Sequence, residues 1–282
     1  NKNYPDIKIL LRAHNAETFH EFHKLIAEQM LVLGTSILKR LKLIFIRTLK
    51  ILKIFYLDFL TANRCDYLLS CTDYELDLYW KRICFKSRCI SVNTFSDIRV
   101  DRTIKKEIKK KYNLTMVGGI LPSLFNDVSY KNYLRFILKC PYNIKDKFNF
   151  YYTGYYNLPA NLKFSNMNRF PEDYSIKNIY KKTDIIIICT NLGLGIKTKI
   201  LDGFATGTNV MVPHKIAKNL PEILRKNCFI YENIDMKKKG SLIKLLENFE
   251  PKDPQTLINA HIEYKRQSEK NFISIFNSGL EK

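Results

Sequence analysis

The stretch Gly193-Leu-Gly195-Ile-Lys197-Thr-Lys199-Ile-Leu-Asp202-Gly-Phe-Ala205-Thr-Gly207 decides the fold. It follows the apolar run Asp184-Ile-Ile-Ile-Ile-Cys189 and leads into Asn209-Val-Met-Val-Pro213, so the order reads strand, loop, helix, strand. Continuous apolar runs of this kind mark strands buried on both faces, as in parallel sheets. In the loop, glycines let a ligand come close to the backbone, and the N–H groups of a helix start attract anions. Lys197 and Lys199 add positive charge at the same mouth, and Asp202 follows about one turn on. Backbone donors, two cations and one carboxylate suit a nucleotide diphosphate, with the acid free to accept from ribose or sugar hydroxyls. A glycine turn carrying surface lysines is the plain alternative.

Outward from this loop, strands and helices alternate along the chain, the signature of an α/β protein with parallel sheets. Strands are predicted at 7–11, 65–71, 88–92, 114–117, 148–154 and 228–231, and helices at 17–31, 36–60, 130–138, 175–182, 241–248 and 257–276. Residues 93–113 are polar and include the basic run Lys105 to Lys111, read as a solvated crossing between two lobes. The expected divisions are 1–97, 98–256 and a terminal helix at 257–282 that packs back toward the first lobe.

Composition narrows the function classes. The 282 residues are 46% hydrophobic and 13% aromatic, which is globular rather than disordered. A net charge of +20 draws the chain toward phosphates on nucleotides, nucleic acid or anionic lipid. Part of that charge goes with a general richness in Lys, Ile, Asn, Tyr and Phe, the residues of A/T-rich codons. No helix-turn-helix and no sheet of interleaved aromatic and basic residues is visible, so nucleic acid is not the expected partner. The 7 cysteines have no framework spacing and read as reduced thiols of a cytoplasmic protein. No metal-ligand spacing is found; His20 and His23 share a helix face and are assigned to surface or packing. Neither a signal peptide nor a bilayer-spanning run is seen, and the chain reads as a fragment or processed product lacking its front.

The helix predicted at 36–60 is two-faced. Lys39, Lys42, Arg47, Lys50 and Lys53 fall on one side, and Leu41, Ile44, Phe45, Leu52, Phe55 and Phe59 fall on the other. Such a helix either packs its apolar face on the first sheet or lies on an anionic membrane surface.

The Gly193–Gly207 segment resembles the donor-binding segment of GT-B glycosyltransferases of the retaining, family-four-like kind. Those proteins carry Gly-x-Gly-x-Arg/Lys-x-Lys, then Leu-Glu-Ala-Met-Ala-x-Gly, then an apolar strand. Gly193, Gly195, Lys197 and Lys199 match, and Ala205, Gly207 and Val210 keep the register. Asp202 stands where the family usually has Glu, and Leu194 where many members carry a second Glu that reaches the donor sugar. Val117-Gly118-Gly119, Phe150-Tyr-Tyr-Thr-Gly154 and Ile179-Tyr180-Lys-Lys-Thr-Asp184 resemble further segments of the same donor domain. Over residues 7–92 the resemblance rests mainly on Arg12-Ala-His14-Asn15-Ala-Glu17 and Cys65-Asp66-Tyr67-Leu-Leu-Ser-Cys71.

The resemblance implies an α/β fold of two Rossmann-like lobes, the first incomplete and acceptor-side, the second binding a nucleotide sugar. It implies a metal-independent, retaining transferase acting on a glycan or lipid-linked acceptor in cell-surface polysaccharide synthesis. The nucleotide sugar is then a substrate, and neither a cofactor nor a metal is expected. Lys197 and His14 are the candidate catalytic residues. Gly118, Gly119, Gly193, Gly195, Lys199 and Asp202 are assigned to the donor, and Asn15 and Glu17 to the acceptor side, Glu17 alternatively capping its helix. The expected location is cytoplasmic, peripheral at the inner face of the membrane. A catalytically silent partner of another transferase, a basic nucleic-acid or membrane-surface binder, and a sugar-nucleotide epimerase are the other readings.

Overall fold

In a computed structural model of the protein, the described residues are 8–13, 16–31, 36–92, 98, 100, 109–118, 123–154, 167–171, 173–193, 195–232 and 241–280. His14, Asn15, Gly119 and Leu194 fall outside them, as does most of the basic crossing.

The first lobe begins with strand β1 (Leu10–Ala13), helix α1 (Glu17–Leu31) and helix α2 (Ile37–Ala62). Strand β2 (Tyr67–Ser70) follows, then helix α3 (Asp73–Glu75), a π-helical stretch Leu76–Trp80, helix α4 (Lys81–Ile83) and strand β3 (Arg88–Ser91). The three strands form one parallel sheet in the order β1-β2-β3. Its core gathers Leu68, Leu76, Tyr79, Trp80 and Ile83.

The second lobe runs through β4 (Tyr112–Met116), α5 (Leu124–Lys139), α6 (Tyr142–Lys147), β5 (Phe148–Tyr152), β6 (Met167–Arg169), α7 (Ile176–Lys182) and β7 (Ile185–Ile187). It continues with α8 (Thr198–Ala205), β8 (Asn209–Pro213), α9 (His214–Ala217), α10 (Glu222–Arg225), β9 (Phe229–Tyr231), α11 (Leu242–Glu247) and α12 (Pro254–Leu280). All six strands are parallel, in the order β6-β5-β4-β7-β8-β9. Counted within the lobe, that is the doubly wound order 3-2-1-4-5-6 of a dinucleotide-binding sheet.

The Ile run explains why this sheet is buried on both sides. Ile185 and Ile187 enter one core with Phe136, Phe150 and Met211, while Ile186 and Ile188 enter the other with Leu201, Phe204, Val210 and Val212. Gly203 is where α8 comes closest: a Cβ there would lie 2.7 Å from Ile186 Cδ1 and 2.8 Å from Val210 Cγ2. Helix α12 adds Leu257, Ala260 and Tyr264 to this second core.

The orientation of α2 differs from the packing of an ordinary amphipathic helix. Arg47 and Lys50 turn onto α1, where Arg47 pairs with Glu28 and Glu21 and Lys50 reaches Glu21 at 2.9 Å, while Lys39, Lys42 and Lys53 stay exposed. Its apolar side is left in solvent over most of its length: Leu38, Leu41, Phe45, Leu49, Leu52 and Tyr56 are all exposed. Only toward the C-terminal end do Phe55 and Phe59 meet rings, those of Tyr79 and Phe85. The carboxylates of α1 decide this outcome, because three cations gather around the buried Glu21.

Candidate functional site

Strand order places the site. Between β4 and β7 the connections leave in opposite directions, and in open α/β sheets ligands bind outside the strand C-termini at such a switch point. A cavity of about 190 Å3 lies there. Its walls are Met116 and Val117 from the end of β4, Ile187 to Thr190 from the end of β7, Phe125 and Ser129 from α5, and Lys197 and Lys199.

Both ammonium groups are sunk into this mouth although part of each stem reaches the surface. Burial lowers the Lys197 pKa to about 8. Burial first, and then the charge of Lys197, brings Lys199 to about 8 as well. Neither has a carboxylate partner among the described residues. Lys199 donates to the Val117 carbonyl, and Lys197 stands 5.7 Å from the centre of the Phe125 ring. Two close cations without an anion are costly in a protein interior, and an anionic ligand removes that cost.

The loop that carries them is fixed by its surroundings. Gly193 has φ +95°, and a Cβ there would overlap the Lys197 ammonium. Its carbonyl accepts from Asn219 Nδ2 at 3.3 Å. The strand end before it is held by Asn132 Nδ2 on the Cys189 carbonyl at 2.9 Å and by Tyr231 Oη on the Ile188 carbonyl at 2.5 Å. Sequence inspection missed these three positioning residues, because each acts from 26 to 57 residues away in the chain.

Gly118 serves close approach of protein to protein. Thr153 Oγ1 accepts from its N–H at 2.8 Å and donates to its carbonyl at 3.1 Å, and a Cβ would lie 2.6 Å from the Thr153 carbonyl oxygen. A second cavity, about 200 Å3, adjoins this turn and is lined by Val117, Gly118, Gly154, Arg169, Phe170 and Tyr174 among others. Val117 belongs to both cavities, so they are neighbours across one residue.

A third cavity, about 120 Å3, lies where the lobes meet. It is lined by Ala16 and His20 from the first lobe and by Phe125, Gly193, Gly195, Ile196 and Lys197 from the second. His20, assigned to surface or packing on sequence, therefore faces the glycine–lysine loop. The lobes touch beside it through Ala27 of α1, Val128 of α5 and Leu192.

The remaining candidates separate from this cluster. Asp202 lies on α8, buried, where it accepts from Tyr180 Oη at 3.3 Å, and it does not line the lysine cavity. Glu17 is exposed on the first turn of α1. The helix start is served instead by Asp58 of α2, which accepts from Thr18 N at 3.2 Å and Thr18 Oγ1 at 2.8 Å. His14, Asn15 and Gly119 lie outside the described residues. Among the described residues no group of three His, Cys, Asp or Glu side chains is placed to hold a metal ion.

No protein-family model matches the chain, and no curated protein matches its sequence. Solved structures do match. OtsA in its apo form aligns with a TM-score of 0.50 at 13% identity over 77% of this chain and 61% of its own. A UDP-forming α,α-trehalose-phosphate synthase from Burkholderia xenovorans aligns with a TM-score of 0.50 at 9% identity, over 83% of this chain and 65% of its own. The chain thus spans less than two thirds of the length of either. The fold is that of the GT-B glycosyltransferases: mixed α/β, with the parallel sheets described above.

Proposed function

We propose that this protein is a glycosyltransferase that moves a sugar from a nucleotide diphosphate donor to a glycan or lipid-linked acceptor in cell-surface polysaccharide synthesis. The observation that carries this reading is the pair of buried ammonium groups of Lys197 and Lys199, without a carboxylate partner among the described residues, at the switch point of a doubly wound sheet. When the glycosidic bond breaks, negative charge collects on the β-phosphate. Fixed cations and loop N–H groups aimed at that charge are the strongest means of lowering the barrier. Lys197 is assigned to the leaving phosphate, with Lys199, Gly193 and Gly195 completing the cradle. In this reading lysines supply the positive charge that a metal gives elsewhere, and the anomeric configuration is retained, as the family resemblance implies.

The second cavity suits the base and ribose. Phe170 and Tyr174 offer aromatic faces and Arg169 a planar cation, with Gly118 lining the same cavity. Asp202 is assigned to a donor hydroxyl, its carboxylate aimed by Tyr180. His14 is assigned, with Lys197, to catalysis, and Asn15 and Glu17 to the acceptor side. A thermal-shift panel tests the donor reading. One sugar nucleotide and its parent diphosphate should raise the melting temperature in a saturable way, adding about 2.7 kcal/mol of stability at a hundredfold excess over Kd. A chain stabilised by none of UDP, GDP, ADP or their sugar conjugates would contradict it.

The exposed side of α2 favours work at a membrane surface. Leu38, Leu41, Phe45, Leu49, Leu52 and Tyr56 form one stripe, with Lys39, Lys42 and Lys53 beside it. No described helix is long and apolar enough to cross a membrane. An apolar stripe edged by lysines lies instead in the plane of an anionic interface. Co-sedimentation with phosphatidylglycerol vesicles, lost in a Phe45→Ser, Leu49→Ser, Leu52→Ser variant, is the expected result. Equal sedimentation of that variant would contradict it.

A further inference from the structure

We propose that Lys197 is a regulatory acylation site: an acyl phosphate docks its phosphate on Lys199 and transfers its acyl group to the Lys197 amine, which closes the anion site. This rests on the premise, shared with the proposed function, that the lysine cavity takes a phosphate. Both lysines line one cavity of about 190 Å3, and no carboxylate lines it with them. Like charges in one buried site do not both hold their protons cheaply. A lysine desolvated beside a second cation is a recurrent form of the nucleophilic amine. Part of each stem reaches the surface, so a small reagent has access.

The surroundings divide the two roles. Lys199 donates to the Val117 carbonyl, which favours its charged form. The neighbour of Lys197 is the Phe125 ring, 5.7 Å from ammonium to ring centre, a weaker hold on a cation than a carbonyl. Burial lowers both lysines to about 8. The imidazoles of His20 and His23 on α1 face Lys197 as well, and burial is the main influence keeping them neutral. The other nucleophiles of the wall are spent. Burial pushes the Cys189 thiol up, so it keeps its proton, and Ser129 Oγ donates to the Phe125 carbonyl at 2.8 Å. An acyl phosphate engages both lysines at once. The Lys197 nitrogen lone pair attacks the acyl carbon, and the bond from that carbon to the phosphate oxygen breaks. Inorganic phosphate leaves with the electron pair and takes up the proton shed by the nitrogen. The amide left behind carries no charge, so the cavity keeps one cation of its two.

Acetyl phosphate is the probe, with acetylated lysines located by peptide mass spectrometry. In wild type, Lys197 should be acetylated about tenfold faster than the exposed Lys39, Lys42 and Lys53, because far more of it is neutral near pH 8. The diphosphate that binds wild type should block the reaction, and the acetylated protein should no longer bind it. Lys199→Arg, which keeps the docking cation, should retain the preference for Lys197, and Lys199→Ala should lose it. Acetyl-coenzyme A has no phosphate on its acyl carbon and should show no preference for Lys197; an equal preference would overturn the acyl-phosphate assignment. Labelling of Lys197 by acetyl phosphate at the rate of the α2 lysines, with diphosphate binding intact, would overturn this inference alone. Selective labelling of a chain that binds no diphosphate would overturn the donor reading and leave this inference standing. Wild type alone carries these outcomes, so they hold even where a variant fails to fold.

Discussion

The seam between α1 and α2 and the mouth of the second sheet both hold buried charge, and they treat it in opposite ways. In the seam, Glu21 is 3% exposed and is met by Lys24 at 2.6 Å, Lys50 at 2.9 Å and Arg47 at 3.5 Å. Glu28 takes a second arm of Arg47. At the mouth, Lys197 and Lys199 stand together with a carbonyl and an aromatic ring for company. Where every charge has its opposite, the residues hold two helices together. Where like charges are left together, the protein has made room for something else. Lysines alone do not mark a site; lysines without acids do.

Removing the acid from the seam should have the largest effect. Glu21→Ala leaves cations facing one another and should cost about 3 kcal/mol of stability, read as a fall in denaturation midpoint. Diphosphate affinity, corrected for the folded fraction, should not change. A loss of binding larger than the loss of folding would blur the contrast between the two regions.

Gly193→Ala attacks the mouth through its backbone. At φ +95° an alanine is strained by roughly 1–2 kcal/mol. Its Cβ also displaces the Lys197 ammonium. Diphosphate affinity should fall about tenfold or more while the seam stays intact. Wild-type affinity in this variant would mean that Lys197 is not held where the ligand binds.

Titration sharpens the comparison further. Lys197 and Lys199 have pKa values near 8, below those of an unfolded lysine. Between pH 8 and the unfolded value the unfolded chain binds more protons, so stability of the free protein should rise with pH across that window. Diphosphate affinity should move the other way and weaken above pH 8 as the lysines lose charge. A bound anion should flatten the stability curve, and an equally steep curve with and without ligand would contradict the pairing.

Outside both regions, a pH-dependent effect is expected at Glu75. This carboxyl is fully buried beside Trp80, and desolvation raises its pKa to about 7. Because the folded state holds its proton to higher pH than the unfolded state, stability falls as pH rises toward 7. Glu75→Gln should raise the melting temperature at pH 8 and leave it nearly unchanged at pH 5.

The second lobe, and α1 of the first, are largely legible because their signals are local. Glycines, lysines and an Ile run within one stretch define strand, loop and helix by spacing alone, and helix α1 at Glu17–Leu31 has the bounds its periodicity predicts. The three-residue strand β6 was not legible, since so short a segment carries no period. Nor was the orientation of α2. Its own pattern allows either face to be buried, and acids on α1 settle the choice. His20 does pack, edge-on against Phe125, but its place in one cavity with Gly193, Gly195 and Lys197, more than 170 residues away, follows only from the apposition of the lobes. Asp202 shows the converse. Its place in the motif was clear, but its partner Tyr180 and its separation from the lysine cavity follow from packing.

Calorimetric titration with UDP, GDP, ADP and CMP, on wild type and on Lys197→Ala, tests most directly whether the unpaired lysines form a diphosphate site. Saturable binding of one diphosphate is expected, weakened about a hundredfold by the substitution, as for loss of one partner of a buried charge pair. The variant should fold at least as stably as wild type, because a buried, unpaired charge has been removed. Absence of binding by any of the four, or binding that Lys197→Ala leaves intact, would contradict it.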